Sequence, residues 1–456
     1  MKRIISLCLL LFLAAHVAFA QKHVLEDRSK FYIYGNQFFV DAVEVPYPNK
    51  DSIKIAIMFK VSNSILHFKK NSDLREKVKV MYAVPELEAK FKNSMGIIKK
   101  NIRQVDTIWV DSYEKTQDKN LYYSYSDYAI MPKDEYKINV VLGEEDNPDI
   151  REESLQKIIG KSFYETETMS EPIFVHRIDA ESSSNVAPFN IGSNIPFTAD
   201  GAQAYFSISY RNPEEVIEYK LKYMGHIRQK GLHWTEPFER TGKAEIIPDR
   251  ILDFTSDDSG DIVFDLKDFN SEQDLKIGLL KIDLKDSDIF PGRYEFELIR
   301  KSTGDEYSYT FDVIWMDKPY SLYTPYYALK MMYYILEDEE YEHFNDGDDD
   351  YISRKIIEYW KQKDPTPETP YNEAMAEYFR RVDFAFFNLK DINEKDGAKT
   401  KRGMIYILHG EPDQVEDTIK DKITTLVWRY NQLGQEFVFT SNDGSEYKLI
   451  KINELK

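Results

Sequence analysis

Three side chains that could do chemistry fall within five residues, in His409-Gly410-Glu411-Pro412-Asp413. An imidazole with two carboxylates suits general acid–base work or metal binding. The same segment also reads as a tight turn. Gly410 can take positive φ, Pro412 presets the turn, and Asp413 bonds local amides. Arg402 is positioned to pair with Asp413. The turn reading is preferred, because His409, Glu411 and Asp413 are too close in sequence to surround a substrate unaided. A second set flanks a Pro-rich elbow: Asp364, Asn372, Glu373 and Arg381. Glu373 sits near a helix start, where the dipole favours a carboxylate. Glu373 and Arg381 are eight apart and could share a face as a buried polar network; a structural clamp is expected there over a catalytic carboxylate. Glu373, Arg381, Arg402, His409, Glu411 and Asp413 are thus candidate binding residues, and none is assigned as catalytic.

Other clusters are weaker. Asp346, Asp348, Asp349 and Asp350 in FNDGDDDY suggest calcium. An EF-hand, however, places Gly sixth and Glu twelfth, whereas here Gly347 is second and Ile357 twelfth. A solvated acidic loop is expected. His226 and His233 lack metal-ligand spacing, and there is no HExxH, GxSxG or phosphate-binding Gly loop. No cofactor or metal is expected. Trp428 and Tyr430 alternate with Val427 and Arg429 and read as a core or inter-domain face.

The elements that position these residues begin after a leader. Lys2 and Arg3, the apolar run Ile4 to Val17 and Ala18-Phe19-Ala20 form a signal peptide over residues 1–20, so the mature chain starts at Gln21. A membrane span needs roughly 20 apolar residues, and no other segment is long and apolar enough. Cys8, the one cysteine, falls inside the leader. Leu7 before it is too bulky for a lipoprotein box. The mature chain then has no thiol or disulfide. The 60 basic and 79 acidic residues give −19; without Lys2 and Arg3, 58 against 79 leaves −21. That charge opposes nucleic-acid binding and disfavours anionic membranes.

Aromatic and β-branched runs fill residues 31–175. FYIYGNQFFVDAVEV, SIKIAIMFKV, IRQVDTIWVD and EYKINVVL read as strands, with a short helix expected at 150–159. Ala180–Asn185 is a polar linker. Strands resume with AQAYFSISYR and run to EYSYTFDVIWM. Pro132 to Tyr136 and Pro291 to Tyr294 each feed a strand, a faint internal repeat one residue out of phase. After Pro319 the period becomes helical. Leu322, Tyr326, Leu329, Tyr333 and Leu336 share a face, Tyr351–Lys361 continues helically, and Met375, Tyr378, Val382, Phe386 and Leu389 form a third stripe. Thr369 is read as the cap of that last helix and Pro370 as its first residue. Met404–Leu408 reads as a strand ending at His409, and Asn442-Asp443-Gly444 as a hairpin tip.

The expected fold is multidomain. Two all-β sandwich-like domains (21–180 and 186–317, the second Ig-like) precede a C-terminal α+β domain (318–456), helices first and then a small antiparallel sheet.

YWKQKDPTPETPYNEAMAEYFRRVDFAFFNL, DGAKTKRGMIYILHGEPD and LVWRYNQLGQEFVF together resemble the C-terminal domain of the GWxTD-domain proteins, over roughly 318–452. The resemblance implies an exported protein of Bacteroidota or related bacteria, and implies no assigned chemistry. Gly397 and Thr400 match the name-giving motif, while Ala398 and Lys401 stand at its Trp and Asp.

Two functions are open. One is a non-enzymatic cell-envelope protein, periplasmic or extracellular, whose C-terminal module binds a protein or a surface polymer. The other is a hydrolase-like enzyme acting on glycan or peptide through His409, Glu411 and Asp413, or Glu373. The first is preferred.

Overall fold

Alternation places Ile53, Ile55, Ile57 and Phe59 on one side of strand Ser52–Ser62, and all four are buried. They share a core with Leu87, Phe91, Tyr136 and Ile138, which come from a different sheet. Ala56 and Met58, on the opposite side, pack with Ile173, Val175 and Leu279. The middle of the strand is therefore buried on both faces, with Lys54 and Lys60 flanking Ala56 and Met58 on the second face.

The computed structural model describes residues 37–72, 79–118, 120–144, 147–160, 163–177, 185–197, 201–225, 235–256, 262–270, 274–285, 289–442 and 445–455. The leader, most of the linker, His226, His233, Asp443 and Gly444 lie outside these residues. The chain divides into two compact units. One comprises Met1–Lys220, Thr241–Leu284 and Phe296–Phe311; the other comprises Leu221–Arg240, Lys285–Glu295 and Asp312–Lys456.

The protein is mostly β. Phe38–Val45, Ser52–Ser62 and Tyr122–Pro132 form one antiparallel sheet, and Pro85–Lys92, Ile98–Val105, Glu135–Glu144 and Asn147–Ile159 form another. An eleven-stranded sheet takes in strands from Ile173–Arg177 to Asp305–Ile314. At its middle Gln203–Tyr210 is buried at every position. The helix expected at 150–159 is instead part of strand Asn147–Ile159, paired with Glu135–Glu144 from Glu152↔Leu142 to Ile159↔Glu135. The cross-strand ladder overrides the local helical pattern. Asn185, placed in the linker, opens the short strand Asn185–Pro188.

The repeat is in phase at its tyrosines. Tyr136 Oη donates to Pro132 O at 2.8 Å, and Tyr294 Oη donates to Phe290 O at 3.0 Å. Each buried ring pins its own strand entry to the backbone four residues upstream.

The C-terminal part has helices followed by a four-stranded antiparallel sheet ordered as in the chain: Gln414–Lys420, Ile423–Tyr430, Gln435–Ser441, Lys448–Glu454. The first helical stripe is broken. Tyr320–Tyr323 is a 3-10 turn, and Pro325 restarts the chain as helix Pro325–Met332. Leu322, Leu329 and Leu336 are buried, whereas Tyr326 and Tyr333 are exposed. Asp348 caps helix Asp349–Lys361 by accepting from Tyr351 N, so the acidic run serves the helix dipole. Helix Glu373–Asn388 is capped by Asn372 and not by Thr369. Asn372 Oδ1 accepts from Met375 N at 2.8 Å while its Nδ2 donates to Trp360 O at 2.7 Å. One buried amide thus satisfies two helix ends, which the Thr369 hydroxyl could not do.

Candidate functional site

The run Met404–Leu408 lies in helix Lys401–His409, where a strand was expected. Thr400 caps its start, accepting from Gly403 N at 2.9 Å, and Gly410 ends it with φ of 81°. Gly403 sits where backbone meets backbone: a Cβ there would lie 2.0 Å from Gly397 O. Thr400 Oγ1 also donates to Leu389 O at 3.1 Å, tying the helix start to the end of the preceding helix. Ala398 is fully buried, and Lys401 is exposed in a first turn that holds no acidic residue.

At the other end of this helix the three candidate groups do not meet. The His409 ring lies against Phe437 and Tyr430, each 5.7 Å away between centroids. Burial, and secondarily the Arg381 charge, push its pKa down. Among the described residues no carboxylate bonds to it. Asp413 Oδ2 accepts from Asn431 N at 2.6 Å, which secures the turn to the end of strand Ile423–Tyr430. Glu411 is exposed. The turn reading predicts that Gly410→Val costs about 1–2 kcal/mol, because a β-branched residue resists positive φ. His409→Ala should cost less. Equal melting temperatures for Gly410→Val and wild type would contradict this.

Arg402 does not reach Asp413. Its Nη2 bonds Asp391 Oδ1 at 2.7 Å and Lys390 O at 3.1 Å, with its guanidinium 4.1 Å from the Tyr447 ring. The helix places Arg402 at its first turn and Asp413 beyond its last, so the two are separated by its whole length. Glu373 and Arg381 form no shared network either. Glu373 is exposed and accepts from Thr366 Oγ1 at 2.6 Å, whereas Arg381 Nε bonds Glu377 Oε1 at 2.7 Å.

What the fold does bring together is a cleft of about 270 Å³ between helices Asp349–Lys361, Glu373–Asn388 and Lys401–His409, with Ile335 at its edge. Arg381 is the one candidate that lines it, beside Glu377, Trp360, Tyr378 and Ile407. Glu377 went unnoticed in the sequence, although an i,i+4 carboxylate–arginine pair on a helix is a readable signal. Trp360 and Ile407 could not be linked to it by spacing.

A separate feature is the edge strand Gln414–Lys420, exposed at all seven positions. Val415 (57% exposed) pairs with Trp428, and Ile419 (76%) with Thr424, so both lie on the sheet face that carries Trp428. Trp428 touches Tyr406 at 6.4 Å, and Tyr406 stacks on exposed Phe384 at 4.3 Å. Phe387, one turn further, meets Tyr320 at 5.9 Å. Exposed apolar residues thus stand at the strand edge and on the helix, joined through the buried Trp428 ring.

Fold and site together define a β-rich protein with a C-terminal α+β module that carries a cleft and an open strand edge. The GWxTD domain family model matches residues 296–456, which supports a GWxTD-domain protein. No curated protein matches the chain.

Proposed function

We propose that this is a non-catalytic protein of the cell envelope, of the kind found in Bacteroidota, and that its C-terminal module binds an extended segment of a partner protein along strand Gln414–Lys420. The observation that carries this reading is the exposed apolar pair at that edge. An unpaired edge offers backbone hydrogen bonds to an added strand, and alternate apolar side chains supply specificity. Val415 and Ile419 stand on one face as such anchors. Glu411 and Asp417, exposed and near the edge, favour a partner with Lys or Arg between its apolar residues.

The hydrolase reading lacks its machinery. An enzyme needs an activated group held by an orienting partner, yet His409 is stacked on rings, Asp413 holds a backbone amide and Glu373 holds a threonine.

Upstream, the reading is export by cleavage after Ala20 and two sandwich-like domains ahead of the module. The core shared by two sheets around Phe59 and Tyr136 supports a sandwich. So do the strand-entry tyrosines, a device of Ig-like folds. Ala398 and Lys401 mark a GWxTD motif that has lost its Trp and Asp.

Anisotropy of a labelled peptide of Val-Thr-Lys-Thr repeats, which sets Lys between two Val on one face, tests the binding mode with the full chain. It should bind saturably, and Val415→Ser with Ile419→Ser should weaken it roughly tenfold or more. Equal binding by a proline-interrupted control would count against strand addition.

A further inference from the structure

We propose that the cleft between helices Asp349–Lys361, Glu373–Asn388 and Lys401–His409 binds a small carboxylate that carries an aromatic or branched apolar group. This site is distinct from the strand edge and does not depend on it. Trp360, in the cleft wall, is 94% buried by its 6% exposure, and its indole N–H has no acceptor among the described residues. Buried donors are almost always paired, and an unmade bond there costs on the order of 1–3 kcal/mol. The nitrogen is closed to solvent as it stands, so a ligand oxygen would supply the acceptor on a rotation of the indole.

The second determinant is Arg381. Its hydrogen bond to Glu377 leaves through Nε, and its terminal nitrogens have no partner among the described residues. A guanidinium with that edge free suits a carboxylate. Apart from Glu377 and Arg381 the lining is largely apolar, with Ile335, Ile407, Leu408 and the Tyr378 ring, whose hydroxyl already donates to Met331 O at 2.7 Å. A dry cavity of roughly 150 Å³ takes benzene, so about 270 Å³ suits a ring or branched chain plus a carboxylate. Glu377 beside Arg381 sets the sign of the specificity. It repels dianions and moderates affinity for a monoanion.

The test uses the full chain with 15N-labelled tryptophan, titrated with 3-phenylpropionate and with its neutral amide. Five indole peaks are expected, and Trp360→Phe identifies one of them. The acid should move the Trp360 peak saturably, and the amide should bind about tenfold more weakly. Arg381→Gln should bring the acid down to the amide's level, and Glu377→Gln should tighten it. A Trp360 peak that never moves would mean that water alone meets this N–H, and would overturn the proposal. So would equal binding of acid and amide, or unchanged acid binding in Arg381→Gln with the other indole peaks in place. If Arg381→Gln misfolds, the Glu377→Gln arm and the acid–amide comparison decide.

Discussion

Lys318→Met should raise the melting temperature, most at and below pH 7 and least near pH 10. Lys318 is 9% exposed, and burial pushes its pKa down to about 7. The neighbouring carboxylate is already committed: Asp317 Oδ1 accepts from Trp315 Nε1 at 2.9 Å, and its other oxygen bonds Arg380. The Lys318 ammonium has instead the Tyr323 ring, 4.4 Å away. Native protein binds the proton less readily than unfolded chain, so stability is reduced below about pH 7 and recovers as pH rises toward the ordinary lysine value near 10.5. The full cost of that depression is on the order of 4–5 kcal/mol, and the cation–π contact returns up to about 2. A Met of similar length should therefore stabilise by roughly 2–3 kcal/mol at pH 7. Thermal unfolding of both proteins from pH 6 to 10 checks this. A gain that does not shrink with pH would show that the lysine is not the cause.

Gly403→Ala, with Gly397→Ala, should be among the most damaging single-methyl additions in the module. The added carbon would sit 2.0 Å from Gly397 O, and no side chain there can swing aside. Either helix Lys401–His409 moves off the turn at 397–399 or the Thr400 cap breaks. Overpacking typically costs 1–3 kcal/mol, and losing a cap about 1 more, so a loss of about 3 kcal/mol is expected. Chemical denaturation of the full chain measures it. A loss under about 1 kcal/mol would mean that the two segments are free to separate. Gly397 and Thr400 thus set the approach of two backbones and a helix start.

Much of the fold was legible because its strands alternate. Ile53, Ile55, Ile57 and Phe59 announce a buried face, and the closing strands with Trp428, Tyr430, Phe437 and Phe439 announce another. The run Met404–Leu408 was misread because a short continuous apolar stretch has no period of its own. The arbiters were nevertheless present: Thr400 before it and Gly410 after it bracket a helix of nine residues. The Arg402–Asp413 pair fails on either reading, since a strand, rising about 3.3 Å per residue, would part the two residues further than the helix does. Residues 150–159 failed for the opposite reason. Their pairing with Glu135–Glu144 is a tertiary fact with no local sign. The cleft was illegible because its walls come from positions as distant as Ile335 and Ile407, and only Arg381 among the six candidates stands in it. Lys318 carries no local sign of its burial in the sequence.

The central claim is that the module binds a protein strand at its open edge and does not catalyse. The most direct measurement is site-specific photo-crosslinking of the full chain in exporting cells. A crosslinker at Ile419 is compared with one at Val438, which pairs with Val427 on the other face of the same sheet. The account predicts one discrete adduct from position 419, lost with Val415→Ser and competed by the Val-Thr-Lys-Thr peptide, and none from position 438. Equal adducts from both positions would contradict it, as would turnover in a glycosidase, esterase or peptidase screen that disappears in Glu373→Gln or His409→Ala.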